Sequence, residues 1–218
     1  MTNEDYRSAR LLKLRYGDAV HQTTALTWMD RYPVLFRACR ESLGDRASLR
    51  LLSYGCSTGE EVLTLRRYFP EAQIVGADIN PRALARARQH QVDERIAFVR
   101  SKLRTIRSHG PYDAIFCMAV LQRTPHAVEA QNLSSLERLY PFARFDAQLS
   151  ELDSLLKPGG LLIVHHTQYV FEHASIAGRY RPLAGVPKVP DEGPRFDRRS
   201  QLIDGPVETN TIFVKMTS

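Results

Sequence analysis

Apolar residues recur at helical spacing early in the chain and then give way to short, unbroken apolar runs. Residues 5 to 43 carry the helical spacing in two or three pieces, interrupted near Gly17-Asp18 and at Pro33. Gly44 supplies a stop. From residue 48 the period changes. "SLRLLSY" (48 to 54) reads as a buried strand, and "EEVLTLRRYF" after it as a helix ended by Pro70. "AQIVGAD" (72 to 78) is a second strand. Asn80-Pro81 then opens "NPRALARARQH", with Asn as cap and Pro in the first turn. Further strands are predicted at 95 to 100, 112 to 121, 161 to 166 and 209 to 216. A helix over "FARFDAQLSELDSLLKPGG" puts Phe142, Phe145, Leu149, Leu152 and Leu156 on one face and stops at Gly159-Gly160. Apolar strands alternating with helices predict an α/β fold with a parallel sheet covered on both faces. Residues 1–47 form an N-terminal helical cap on this reading, and residues 48–218 the sheet domain.

Ligands of such sheets bind beyond the carboxyl ends of the strands. The first strand runs into Gly55-Cys56-Ser57-Thr58-Gly59, followed by Glu60-Glu61. Glycines let the chain turn tightly and let a ligand approach the backbone. A phosphate-binding loop would need a lysine after its last glycine, and two carboxylates stand there instead. A dinucleotide loop would need glycines where Ser57 and Glu60 stand. S-adenosylmethionine fits better. It carries no phosphate, its ammonium suits a carboxylate, and its ribose suits an acid at the tip of the next strand. Asp78 occupies that tip, and Ile79 and Leu103 are placed to sandwich the adenine.

Four segments in order resemble the class I S-adenosylmethionine-dependent methyltransferases: "LLSYGCSTGEE", "IVGADINPRALARAR", "YDAIFCMAVLQR" and "LDSLLKPGGLLIV". The glycine motif is most similar to that of the chemotaxis receptor methyltransferases. The fourth strand departs from that type, with Met118-Ala119 after the cysteine, and so does Lys102. The resemblance implies a Rossmann-like, doubly wound, mostly parallel seven-stranded sheet. It implies Gly55, Cys56, Ser57, Gly59 and Glu60 at the methionine end of S-adenosyl-L-methionine. Asp78 and Ile79 then serve the ribose and adenine, Lys102 and Leu103 flank the base, and Met118 and Ala119 wall the sulfonium. Arg10 or Arg15 would hold the cofactor carboxylate.

Methyl transfer asks chiefly that donor and acceptor be held in line, about 3 Å apart. A base helps where the acceptor is a hydroxyl. His165 and His166, ending the fifth strand, are the catalytic candidates; Glu172, just after that strand, and His126, after the fourth, are further ones. Tyr169, His173 and Trp28 are candidates for acceptor binding, with Tyr16 and His21 as further N-terminal ones. No metal-ligand spacing stands out, so no metal is expected. The stretch 167 to 199 reads as a long, arginine-bearing loop that recognises the acceptor.

Composition adds little to this. The chain has 218 residues, 43% hydrophobic, enough for a core without staples. Its charge of +6 admits nucleic acid as partner, or a scatter of surface arginines. A small-molecule acceptor is favoured over RNA, DNA or a protein side chain, because no Asp/Asn-Pro-Pro-Tyr tetrad follows the fourth strand. A non-catalytic cofactor-binding subunit and an oligomer both stay open. Three scattered cysteines, the lack of a leader-like N-terminus and the lack of a long apolar run predict a cytoplasmic protein without membrane contact.

Overall fold

A computed structural model of the chain describes residues 14, 16–17, 20–21, 27–44, 46, 48–190 and 193–217. Seven strands form one sheet: β1 Arg50–Tyr54, β2 Gln73–Asp78, β3 Ile96–Arg100, β4 Tyr112–Met118, β5 Leu156–His165, β6 Tyr180–Pro182 and, last in the chain, Ile212–Lys215. Two short segments, β7 Val189–Pro190 and β8 Glu208–Thr209, pair with each other, which makes Ile212–Lys215 β9. The sheet order is β3-β2-β1-β4-β5-β9-β6, and β9 runs antiparallel to both of its neighbours. The expected mostly parallel, doubly wound sheet is therefore the one observed.

From residue 27 on, the α-helices are α1 Pro33–Leu43, α2 Glu60–Tyr68, α3 Pro81–Ala87, α4 Leu103–Arg107, α5 Pro125–Ala130 and α6 Phe142–Asp153. Strand alternation sends side chains to two separate cores. Leu52, Val75, Ile115, Cys117 and Leu162 point to the layer with Phe145 and Leu149 of α6. Leu51, Ile74, Phe116 and Ile163 point to the layer with Phe36 of α1 and Leu65 of α2. Asn80 caps α3 as predicted, its side chain accepting from the amides of Arg82 and Ala83. Pro33 does not break a helix; it starts α1, where its missing N–H costs nothing.

Two boundaries shift for physical reasons. Helix α6 ends at Asp153, well before Gly159-Gly160. The chain returns to the sheet at Leu156 opposite Tyr112, then bulges so that Leu161 pairs with Ala114. Gly159, at φ 75°, belongs to that bulge and is no helix stop. The stretch expected as a long loop instead contains two 3-10 turns, Phe171–His173 and Ala177–Arg179, and the edge strand β6. Of the expected helical stretch 5 to 43, residues 5–13, 15, 18–19 and 22–26 lie outside those described, Arg10 and Arg15 among them.

Candidate active site

Strand order reverses between β1 and β4, and in sheets of this kind the ligand crevice lies beyond the carboxyl ends of the strands at that point. Gly55 follows β1 with φ 81°, and its amide, like that of Cys56, bonds the Ala77 carbonyl at the end of β2. A Cβ at Gly55 would meet Val120 Cγ2 at 2.4 Å. The loop therefore has no room for a larger residue on that side. Gly59, at φ 101°, caps α2. Ser57, Ala119 and His166 take φ of 50°, 58° and 50° although none is glycine. They sit just past the tips of β1, β4 and β5, and strained residues of this kind gather at functional sites.

Asp78 ends β2, buried. Its Oδ2 accepts the Ser57 amide at 2.8 Å and its Oδ1 accepts the Asn80 amide at 2.7 Å. Burial raises its pKa, and those amide bonds and the Arg100 guanidinium oppose the rise. The Ile79 amide bonds it as well, so of the about four lone-pair positions of a carboxylate at least one remains for a further donor. The Ser57 hydroxyl is buried without a partner, a donor and acceptor held ready in the same loop. Arg100 also lies over the Tyr16 ring, 5.0 Å from its centroid, which brings Tyr16 to this end of the crevice.

The two acids of the loop separate. Glu60 folds back, both its oxygens accepting from Thr58 Oγ1. Glu61 turns inward and accepts from Ser53 Oγ at 2.8 Å. Burial pushes it up to about 7, against that bond and the Arg31 charge. Glu61 was not singled out in the sequence. The signal lay in Ser53, a polar side chain inside an otherwise apolar strand, which requires a polar partner.

Elsewhere the predicted residues divide. Cys56 is buried, and burial raises its thiol pKa well above the ordinary range. Met118 packs in the α1–α2 core, while Ala119 donates to the His165 carbonyl. Ile79 is partly buried, Leu103 packs against the opposite core, and Lys102 is exposed. His165 and His166 lie side by side, ring centroids 4.0 Å apart, with Tyr32 edge-on to His165 at 5.1 Å. Trp28 joins them through Arg31, which stacks on Trp28 at 4.4 Å and on Tyr32 at 5.0 Å. Tyr169 is not brought to the crevice: it is fully buried among Tyr140, Phe142 and Phe145, its hydroxyl donating to the Tyr140 carbonyl. His173 sits in a 3-10 turn, its Nδ1 buried without a partner. His21 is buried, bonding Tyr140 Oη at 2.8 Å and Gln148 Oε1 at 3.2 Å. His126 is exposed, and Glu172, also exposed, accepts from Asn210. Among the described residues no group of three His, Cys, Asp or Glu could hold a metal.

These burials set the acid sensitivity. Burial holds His21 down at about 4 and His165 at about 3. From pH about 6.5 down to about 4.3 the unfolded chain binds two imidazole protons that the native chain refuses, while native Glu61 binds one that the unfolded chain refuses. The net is one proton taken up on unfolding. Native Asp78, also raised by burial, offsets part of this toward the acid end. We expect stability to fall by at most about 1.4 kcal/mol per pH unit across that window, and His21→Gln to reduce the slope, as read by urea unfolding at stepped pH.

A methyltransferase domain family matches residues 45–181, the stretch from before β1 through β6. The chain belongs to that methyltransferase family. By sequence the domain is similar to a tRNA (guanine-N(7)-)-methyltransferase of Chloroflexus aggregans, 29% identical over 75% of this chain and 70% of the relative. It is also similar to trans-aconitate 2-methyltransferase of Escherichia coli O1:K1 / APEC, 30% identical over 68% of this chain. The chain spans about half the length of that relative, 52%. Against a related enzyme from Methylobacterium nodulans, 35% identical, the match covers 37% of this chain and 30% of the relative. Among solved structures, a methyltransferase bound to S-adenosylmethionine from Micromonospora echinaspora aligns over 95% of this chain and 83% of its own, at 20% identity and a TM-score of 0.47. No helix among the described residues is long and apolar enough to cross a membrane.

Proposed function

We propose that this methyltransferase binds S-adenosyl-L-methionine in the crevice beyond β1, β2 and β4 and moves its methyl group to oxygen or nitrogen of a small molecule. The observation that carries the reading is the bond between Asp78 and the Ser57 amide, which locks the glycine loop to the tip of β2. That bond joins a loop open to a ligand's amino-acid end to an acid with acceptor capacity left for a ribose diol. When bound, the cofactor supplies a methyl group already activated by its sulfonium.

In this proposal Gly55, Cys56, Ser57 and Gly59 shape the loop. Glu61, in place of Glu60, pairs with the ammonium, since Glu60 is folded onto Thr58. Asp78 holds the ribose, Ile79 and Leu103 flank the adenine, Lys102 lies at its edge, and Ala119 walls the sulfonium. Residues ahead of α1, part of the proposed 1–47 cap, supply the acceptor side with His165 and His166. The likeness of the loop to that of the chemotaxis receptor methyltransferases supports cofactor binding of this form and says nothing of a protein acceptor. Three buried free thiols, Cys39, Cys56 and Cys117, fit a reducing cytoplasmic compartment.

The test is titration calorimetry with S-adenosylhomocysteine, with ATP and NAD as controls. Saturable binding of the adenosyl compound alone supports the reading, and preference for a phosphorylated nucleotide overturns it. Proton linkage gives a second check. Glu61, raised to about 7, must lose its proton to meet an ammonium. Affinity should therefore fall about tenfold per pH unit below that value. Glu61→Gln should bind more weakly and without this pH dependence.

A second reading follows from the Chloroflexus relative, a tRNA methyltransferase whose match covers three quarters of this chain. Arg179, Arg181, Arg198 and Arg199 are exposed along the acceptor side of the sequence. Acceptor binding that weakens steeply with salt would favour it.

A further inference from the structure

At the tips of β4 and β5 the residues ahead of α1 complete a second, chemically distinct corner. Arg31 is sandwiched between the Trp28 and Tyr32 rings. Tyr32 covers His165 and His166, at 5.1 and 5.6 Å between ring centroids. Arg195, only 4% exposed, enters from the segment after β7, its Nη1 donating to Thr167 Oγ1 at 3.2 Å. The Tyr32 hydroxyl and His165 Nδ1 are buried in this ring cluster with no hydrogen-bond partner. Buried polar atoms without partners are costly unless a ligand completes them. Among the described residues, the charges that act on His165 are the positive ones of His166, Arg195 and Arg31. The carboxylate of Glu61 reaches the corner through Arg31 and Tyr32, and the reading above commits it to the cofactor ammonium.

We propose that this corner is a carboxylate site: the methyl acceptor is a small organic acid gripped by Arg31 and Arg195 over the Tyr32, His165 and His166 rings, and the product is its methyl ester. The inference rests on the cofactor reading and names its substrate class. A carboxylate oxygen forms the new bond to the methyl carbon while the S–CH3 bond breaks and its electron pair stays on sulfur. An anion and a sulfonium become a neutral ester and a neutral thioether. No proton moves, so no base is needed. That agrees with His165, which burial and the surrounding positive charges hold neutral at about 3. A neutral imidazole and the Tyr32 hydroxyl can each donate a hydrogen bond to an acid. An amine acceptor would arrive as an ammonium and be repelled by Arg31. Two planar guanidinium forks suit a planar carboxylate.

The experiment incubates the full chain with methyl-labelled S-adenosylmethionine and a panel of aliphatic mono-, di- and tricarboxylates. Each acid is paired with its primary amide, and aryl alcohols and primary amines complete the panel. Calorimetry of the acids is run in parallel in the presence of S-adenosylhomocysteine. Expected are transfer to acids but not amides, and label released as methanol by mild alkali, as an ester requires. Arg31→Gln should lower kcat/KM for the best acid by about 100-fold at saturating cofactor, and Arg31→Lys should restore part of it. Arg195→Gln should act likewise where it folds; the alkali test does not depend on it. Alkali-stable product formed from amines or alcohols overturns the inference, as does the absence of both turnover and binding by every acid while S-adenosylhomocysteine still binds. Failure of S-adenosylhomocysteine itself to bind overturns the reading beneath it instead.

Discussion

Asp78→Ala should weaken S-adenosylhomocysteine binding by about two to three orders of magnitude. A charge-assisted hydrogen bond to a buried carboxylate is worth about 1.5–3 kcal/mol, and the ribose diol would donate two. The substitution also removes the acceptor of the Ser57 and Asn80 amides. Each amide left buried without a partner costs about 1–3 kcal/mol, partly offset because a desolvated charge disappears with it. The variant should therefore fold with a lower melting temperature while its cofactor affinity collapses. Calorimetry and thermal circular dichroism separate the two effects. Wild-type affinity in a folded Asp78→Ala protein would remove the ribose assignment.

Gly55→Ala should damage both stability and binding for a reason independent of charge. The position has φ 81°, which costs a residue with a Cβ about 1–2 kcal/mol. The new methyl would also sit 2.4 Å from Val120 Cγ2, so the β4 loop must move. Together these amount to about 2–4 kcal/mol. Pairing it with Val120→Ala should recover the steric part and leave the backbone part. Denaturant unfolding of the single and double variants measures each share. Full recovery in the double variant would show that the left-handed backbone costs nothing there.

The sheet was legible because strands buried on both faces read as continuous apolar runs with abrupt polar ends. Tyr54-Gly55 and Asp78 mark two such ends, and Asn80-Pro81 fixed the start of α3 chemically. Two features misled. Pro158-Gly159-Gly160 carries the marks of a terminator, yet the sheet absorbs it as a bulge because Leu156 has already paired with Tyr112. Tyr180–Pro182 is too short to show a period, and its proline is tolerated on an edge. In the site, the glycine loop and Asp78 were local and could be read. The choice between Glu60 and Glu61 was not, since adjacent helical residues differ by about 100° in direction and only packing decides which turns inward. Arg31, Tyr32, His165 and Arg195 come from three distant stretches, and no local pattern announces their meeting.

The residues ahead of α1 touch both ends of the crevice. Tyr16 lies under Arg100 near Asp78, and Arg31 and Tyr32 lie against the histidines of β5. On the assignments above, donor and acceptor are read by one strap of polypeptide. Thermodynamic linkage then demands that whatever factor the first ligand imposes on the affinity of the second is returned in full when the order of addition is reversed.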